Sequence, residues 1–192
     1  NSGERLMDLF GNDPHEFIMN YKESKALPFV HRTFNGIDLN FFCNSLKNLY
    51  QNHEGLEGAF NMYPTEANLK SRIVNFRSVF LKTTHQSRSE KHISNPLKNS
   101  ACKRLVMFLR WMVRSNKKGV DFGLWPDISQ SELYIPLDVH TGNVARNLGL
   151  IERKQNDWKT NEELIGKLRG LDAEDPAKYD FALFGVGVNK EL

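Results

Sequence analysis

The chain has 192 residues, 40% hydrophobic and 26% charged, with 13 glycines and 7 prolines, a folded composition that excludes collagen-like, low-complexity and disordered architectures. No apolar run approaches the roughly 20 residues needed to cross a bilayer. The two cysteines, Cys43 and Cys102, are too few for a disulfide framework, a four-cysteine zinc site or an iron–sulfur cluster, which fits a reducing cytosol, and the formal net charge is only +3.

The apolar pattern is helical nearly throughout. Asp13-Pro14 supplies a cap and a first-turn proline for a short helix towards Tyr21. From Asp38, Phe42, Leu46, Leu49 and Tyr50 recur at helical spacing, and Asn52-His53 ends that helix. Thr65 can cap a longer helix whose stripe is Leu69, Ile73, Phe76 and Phe80. Residues 83–99 are polar, lack a period and include Pro96, so they read as a loop. Ser100 can cap a helix from Ala101 to about Asn116, and the stretch from Gly119 to Pro136 is irregular. Asp138 caps a helix ending at Gly149, a position suited to a left-handed residue. A helix from about Asn161 to Leu168 follows, and Asp175-Pro176 opens the last one, through Tyr179, Phe181 and Phe184. Two-residue alternation is scarce, so the expected fold is a single all-α domain over residues 1–192. The start at Asn1-Ser2-Gly3, without Met or an apolar signal segment, reads as a fragment lacking an N-terminal stretch.

Charge is unevenly distributed. Between Ala67 and Lys118 lie 13 bases and one acid, Glu90, giving this quarter of the chain +12 and the remainder −9. Such self-repulsion is relieved by an anionic partner, and nucleic acid is the commonest. Within this segment, Lys103, Met107, Arg110 and Arg114 fall within about 60° of one another on a helix that is apolar almost all round. Its cations are expected to line a cleft. A nucleophilic amine must be neutral, and desolvation with neighbouring positive charge favours that form; Lys103, beside Arg104 and Arg110, has such a setting. Asp138 follows the apolar strip Ile135-Pro136-Leu137 at a helix start, which holds a carboxylate ionised. A fixed carboxylate can stabilise positive charge developing on a deoxyribose ring.

The stretch Pro136-Leu137-Asp138-Val139-His140-Thr141, continuing through Val144-Ala145-Arg146-Asn147-Leu148-Gly149-Leu150, resembles the segment bearing the catalytic aspartate of helix-hairpin-helix DNA glycosylases. Those typically read Val-Asp-Thr-His-Val…Arg-Val…Arg-Leu-Gly. Tyr179-Asp180-Phe181-Ala182-Leu183-Phe184-Gly185 resembles the closing helix of that superfamily. The same blocks, with Ser100-Ala101-Cys102-Lys103-Arg104, are also similar to a bacterial family of unknown function. The usual Leu-Pro-Gly-Val-Gly hairpin is not present before Asp138. The closest likeness is to the archaeal 8-oxoguanine glycosylase branch, whose hairpin is divergent and whose lysine begins a hydrophobic helix well upstream of the aspartate. Lys103, 35 residues before Asp138, matches that arrangement, with Lys98 as the other position. Residues 94–100 would be the substitute hairpin, and the site would lie between 96–114 and 136–149.

The resemblance implies a DNA glycosylase/AP lyase of base excision repair, needing no cofactor and no metal, acting on double-stranded DNA with a damaged base, such as an oxidised purine, in the bacterial cytosol or nucleoid. A flipped nucleotide enters a pocket. Lys103 attacks C1′, Asp138 stabilises the sugar charge, and beta-elimination would then nick the strand. Lys98, Arg104, Arg110, Arg114 and His140 are the expected DNA contacts, and Trp111, Trp125 and Phe184 the expected base pocket. The alternatives are a DNA-binding helical protein that kept the fold without the chemistry, and an interaction protein whose basic belt meets an acidic partner.

Overall fold

The computed structural model describes residues 2–22, 27–62, 68–115 and 119–189. Nine α-helices carry the architecture among these residues: α1 (Ser2–Phe10), α2 (Pro14–Met19), α3 (Gly36–Asn52), α4 (Gly55–Asn61), α5 (Leu69–Phe80), α6 (Lys103–Val113), α7 (Val139–Asn147), α8 (Trp158–Leu171) and α9 (Asp180–Asn189). The only described strands, β1 (Val30–His31) and β2 (Phe34–Asn35), form a two-residue hairpin pairing Val30 with Asn35 and His31 with Phe34. The fold is all-α. Where the sequence pattern suggested one domain, the chain divides into two compact units, residues 1–64 with 75–93 and residues 65–74 with 94–192.

Several expected boundaries shift for local reasons. Short 3-10 turns interrupt the expected loops at Ser87–His92, Pro96–Lys98 and Gln130–Glu132. Ser100 does not cap α6. Its hydroxyl accepts the Cys102 amide, and the helix starts two residues later, after Cys102 in a left-handed conformation (φ 49°). α8 begins at Trp158 because Asp157 accepts the Thr160 amide, three residues upstream of the expected start. The expected last helix divides into a 3-10 turn, Pro176–Tyr179, and α9. The sequence pattern gave no reading of α1, α4 or the hairpin. Thr65, Asn116, Lys117 and Lys118 lie outside the described residues. Gly149 is left-handed (φ 69°) at the end of α7, as its position after that helix implied.

The first unit packs α1 and α2 on α3 around Ile18, Tyr21, Phe29, Leu39 and Cys43. Phe34, Phe41, Phe42 and Phe80 contact one another edge-on beside it. Its polar centre is Asp38, fully buried in the first turn of α3. Asn35 N–H donates to Asp38 at 2.9 Å, Ser89 Oγ at 2.5 Å and Arg88 Nη1 at 3.0 Å, while His92 Nε2 stands 3.4 Å away. Burial raises this carboxyl, but the Ser89 hydroxyl, the Asn35 amide, His92 and Arg88 outweigh it and hold Asp38 below the usual carboxylate range. One side chain thus completes a capping box and ties the Ser87–His92 turn to α3.

The second unit buries Val106, Leu109 and Val113 of α6, Val144 and Ala145 of α7, Leu164, Ile165 and Leu168 of α8, and Leu183 of α9. The extended strip Leu133–Leu137 runs through this core, with the Ile135 carbonyl accepting from Asn161 Nδ2 at 2.7 Å. Trp158 stacks on Tyr134 with ring centroids 5.1 Å apart.

Asp38→Ala should destabilise the protein by about 3 kcal/mol, because it leaves buried donors and cations without an acceptor. Ser89→Ala, which removes one donor and leaves the charge pairing, should cost about 1 kcal/mol. Urea unfolding of both variants checks the ranking, and equal losses would contradict it.

Candidate active site

Lys103 and Asp138 stand together at the starts of two helices. Lys103 is the first residue of α6, and Asp138 is the N-cap of α7. Asp138 Oδ1 accepts the Thr141 amide at 2.9 Å, and Oδ2 accepts Lys103 Nζ at 2.8 Å. The lysine side chain is 45% exposed and the carboxylate 14%. Burial raises the Asp138 carboxyl, but the Lys103 hydrogen bond, the Thr141 amide and the Lys103 charge together overcome it and keep Asp138 below the usual range. The site therefore holds a reliable carboxylate with one face on a helix N-terminus and the other on a solvent-accessible amine.

The turn before Lys103 is tightly built. Asn95 caps the Pro96–Lys98 turn, and Asn99 adopts the left-handed conformation (φ 60°) that glycine more often fills. Asn99 Nδ2 donates to Asp157 at 2.7 Å, its carbonyl accepts the Trp158 amide at 3.1 Å, and its side-chain oxygen accepts the Lys159 amide at 3.2 Å. Two left-handed residues, Asn99 and Cys102, do the bending that the expected segment 94–100 would need without a glycine. Lys98 and Arg104 flank this turn and are exposed.

The remaining expected residues divide. Arg110 and Arg114 share the Lys103 face of α6, as the spacing implied, but they meet carboxylates of their own chain. Arg110 pairs with Asp180 and, at 3.3 Å, with Asp121. Arg114 grips Asp175 at 2.7 Å and 2.9 Å and reaches Asp121 at 2.8 Å. Arg110 is only 3% exposed. Both guanidinium groups are committed to structure, and their assignment as DNA contacts is corrected on that ground. Trp125 is buried edge-on against Phe108, so it belongs to the core rather than to a base pocket. Trp111 and Phe184 are exposed by 40% and 44%. His140 is exposed, its Nδ1 lies 3.3 Å from the Gly187 carbonyl, and its ring meets Phe184 edge-on, which places Phe184 of α9 beside the first turn of α7.

Sequence-distant acids neutralise much of the basic segment. Lys70 pairs with Glu162, Arg72 with Glu132 and Arg88 with Asp38, in addition to the five pairs made by Lys103, Arg110 and Arg114, while Arg77 meets Glu90 of the segment itself. Among the described residues, Lys82, Lys91, Lys98 and Arg104 are the bases of that segment outside any ion pair. Among the described residues, no group of three or more His, Cys, Asp or Glu side chains could hold a metal ion, and no helix is long and apolar enough to cross a membrane.

Two contributors escaped the sequence pattern. Asn156, in a polar loop with no periodic signal, donates through Nδ2 to the Asp138 carbonyl at 2.9 Å. Asp180 sat in plain view at the start of the closing helix, but its partner Arg110 is 70 residues away. Burial pushes the Asp180 carboxyl up to about 6 against the pull of Arg110, with Asp138 and Asp121 adding repulsion.

A raised carboxyl binds its proton more readily in the folded protein than in the unfolded chain. Asp180 therefore favours folding most below about pH 4, and that contribution is lost as pH rises through about 6. Asp180→Asn should flatten the fall in thermal stability between pH 4 and 6.5. A melting series over that range checks this, and an unchanged slope would contradict it.

No curated protein and no solved structure matches this chain. A family model described as "Protein of unknown function (DUF2400)" matches residues 1–189. The match spans nearly the whole chain, including both helix starts that carry the lysine–aspartate pair, and the protein belongs to that family.

Proposed function

We propose that this protein is a DNA glycosylase with AP lyase capacity, using Lys103 as nucleophile and Asp138 as the carboxylate partner, in base excision repair. The observation that carries the reading is the 2.8 Å contact between a half-exposed lysine and a helix-capping aspartate 35 residues apart. A lysine that begins a hydrophobic helix well upstream of the aspartate looks like the arrangement of the archaeal 8-oxoguanine glycosylase branch which the sequence resembles. The left-handed turn at Asn99 and Cys102, flanked by exposed Lys98 and Arg104, supports a backbone that meets a phosphate at the start of α6.

The chemistry requires Lys103 to shed one proton, and the Asp138 carboxylate is an acceptor within hydrogen-bond reach. The amine then attacks C1′ as the glycosidic bond breaks, and the base leaves with the bonding pair. The departing base takes up that proton, which leaves Asp138 ionised again to stabilise the positive charge that builds on the sugar. A proton then passes from Nζ to O4′ as the C1′–O4′ bond breaks and the ring opens, which leaves a protonated imine between Nζ and C1′. Phe184, exposed next to His140, is an aromatic surface available to an extruded base.

A second reading, DNA binding without chemistry, is favoured by one observation: Lys103 stands in a complete ion pair. Borohydride separates the two, because it reduces an enzyme–DNA imine to a stable amine. Trapping on duplexes with oxidised purines or abasic sites should give an adduct that Lys103→Ala abolishes, while Lys98→Ala retains it. Absence of any adduct across the damaged-base panel, with salt-dependent binding preserved, would establish the second reading.

A further inference from the structure

We propose that Asn156 is a positioning residue for Asp138, acting through the main chain and locked in place by Arg146 and Gly142. The inference deepens the reading of Lys103 and Asp138 as the reactive pair and rests on it. Asn156 lies in the loop between α7 and α8, and its Nδ2 donates to the Asp138 carbonyl at 2.9 Å. Its Oδ1 accepts Arg146 Nη2 at 2.5 Å. Arg146 is anchored in turn. Its Nε donates to the Arg153 carbonyl at 2.7 Å, and Nη2 also reaches the Lys154 carbonyl at 2.9 Å. With the Gln155 carbonyl at 3.3 Å, one guanidinium thus holds four consecutive loop residues, 153–156, and the loop presents a single amide to the residue that caps α7.

The space for that amide is supplied by Gly142. A Cβ built at Gly142 would overlap the Asn156 side chain, whose Oδ1, Cγ and Nδ2 are the three nearest atoms. A helix interior disfavours glycine relative to alanine, and at Gly142 the missing β-carbon is what leaves room for the Asn156 amide. The Asp138 carboxylate faces Lys103 from an extended backbone (φ −126°, ψ −169°). The Asn156 hydrogen bond falls on the peptide that follows that residue. The same carbonyl accepts the Gly142 amide of α7 at 2.9 Å, and the Asn156 bond adds a hold from outside the helix without touching the carboxylate.

Three variants test this. Asn156→Asp keeps an acceptor for Arg146 and removes the donor to Asp138. Asn156→Ala removes both. Gly142→Ala pushes the amide aside. The readouts are carbon-13 NMR titration of the Asp138 carboxyl, the borohydride-trapping rate and thermal stability. Asn156→Asp should fold, move the Asp138 midpoint up towards the ordinary carboxylate range and slow trapping by about tenfold or more. Gly142→Ala should lower the melting temperature in the natural sequence, yet raise it or leave it unchanged in the Asn156→Ala background, where the overlap is gone and alanine's helix preference remains. An unmoved Asp138 titration with natural trapping in Asn156→Asp would overturn the positioning role. So would a Gly142→Ala penalty of equal size in both backgrounds. Failure of the glycosylase reading is recognised separately, as no adduct from the unaltered protein, and the titration and stability arms decide the positioning role in that case too.

Discussion

A carboxylate at the start of a helix is held by the helix itself, and the second unit is arranged around that fact. Asp138 receives the Thr141 amide on one oxygen and Lys103 on the other, while its carbonyl receives Asn156. The first interaction starts α7, the second joins α7 to the start of α6, and the third joins α7 to the loop before α8. Each alone is a modest contribution of about 1 kcal/mol. Together they make one residue the meeting point of three segments far apart in the chain. A side chain so constrained has little freedom to follow a ligand, so any reacting group must come to it.

Charge balance follows the same principle at larger scale. The basic segment is compensated mainly from within the protein, by acids drawn from distant parts of the sequence. Arg110 and Arg114 sit among Asp121, Asp175 and Asp180, and Arg72 meets Glu132. Burying two guanidinium groups carries a desolvation cost that only dense pairing offsets. Asp121 bridges both arginines, which makes this cluster a continuous network rather than two separate pairs. In the second unit, Lys98 and Arg104 remain exposed and outside any ion pair among the described residues, flanking the turn before α6.

Helix periodicity made much of this architecture legible. The stripes of α3, α5 and α6, the cap at Asp138 and the left-handed Gly149 were readable because each depends on neighbours within a few residues. The Lys103–Asp138 pairing was reachable only through resemblance, since no local signal joins residues 35 apart. The true start of α6 was not readable, because Cys102 is an unusual residue for a left-handed position and Ser100 looked the better cap. The destination of Arg110 was misread for a related reason. A cation on an apolar helix implies a partner, but the sequence does not say whether that partner is a phosphate or an aspartate. Asn156 gave no signal at all, because its partners, the Asp138 carbonyl and the Arg146 guanidinium, are reached only in the folded chain.

The bend at Cys102 has a consequence for the whole of α6. Left-handed backbone at a residue with a β-carbon costs about 1–2 kcal/mol, and here the side chain is buried. That bend sets the rotational phase of the helix. Lys103, Arg110 and Arg114 lie within about 40° of one another around the axis, so a slip of one residue would turn all three by about 100° and break every pair at once. The cations act as teeth of a key that fits in one rotation only. A helix locked in this way gains or loses its contacts together, and the amine at its tip inherits that all-or-none placement.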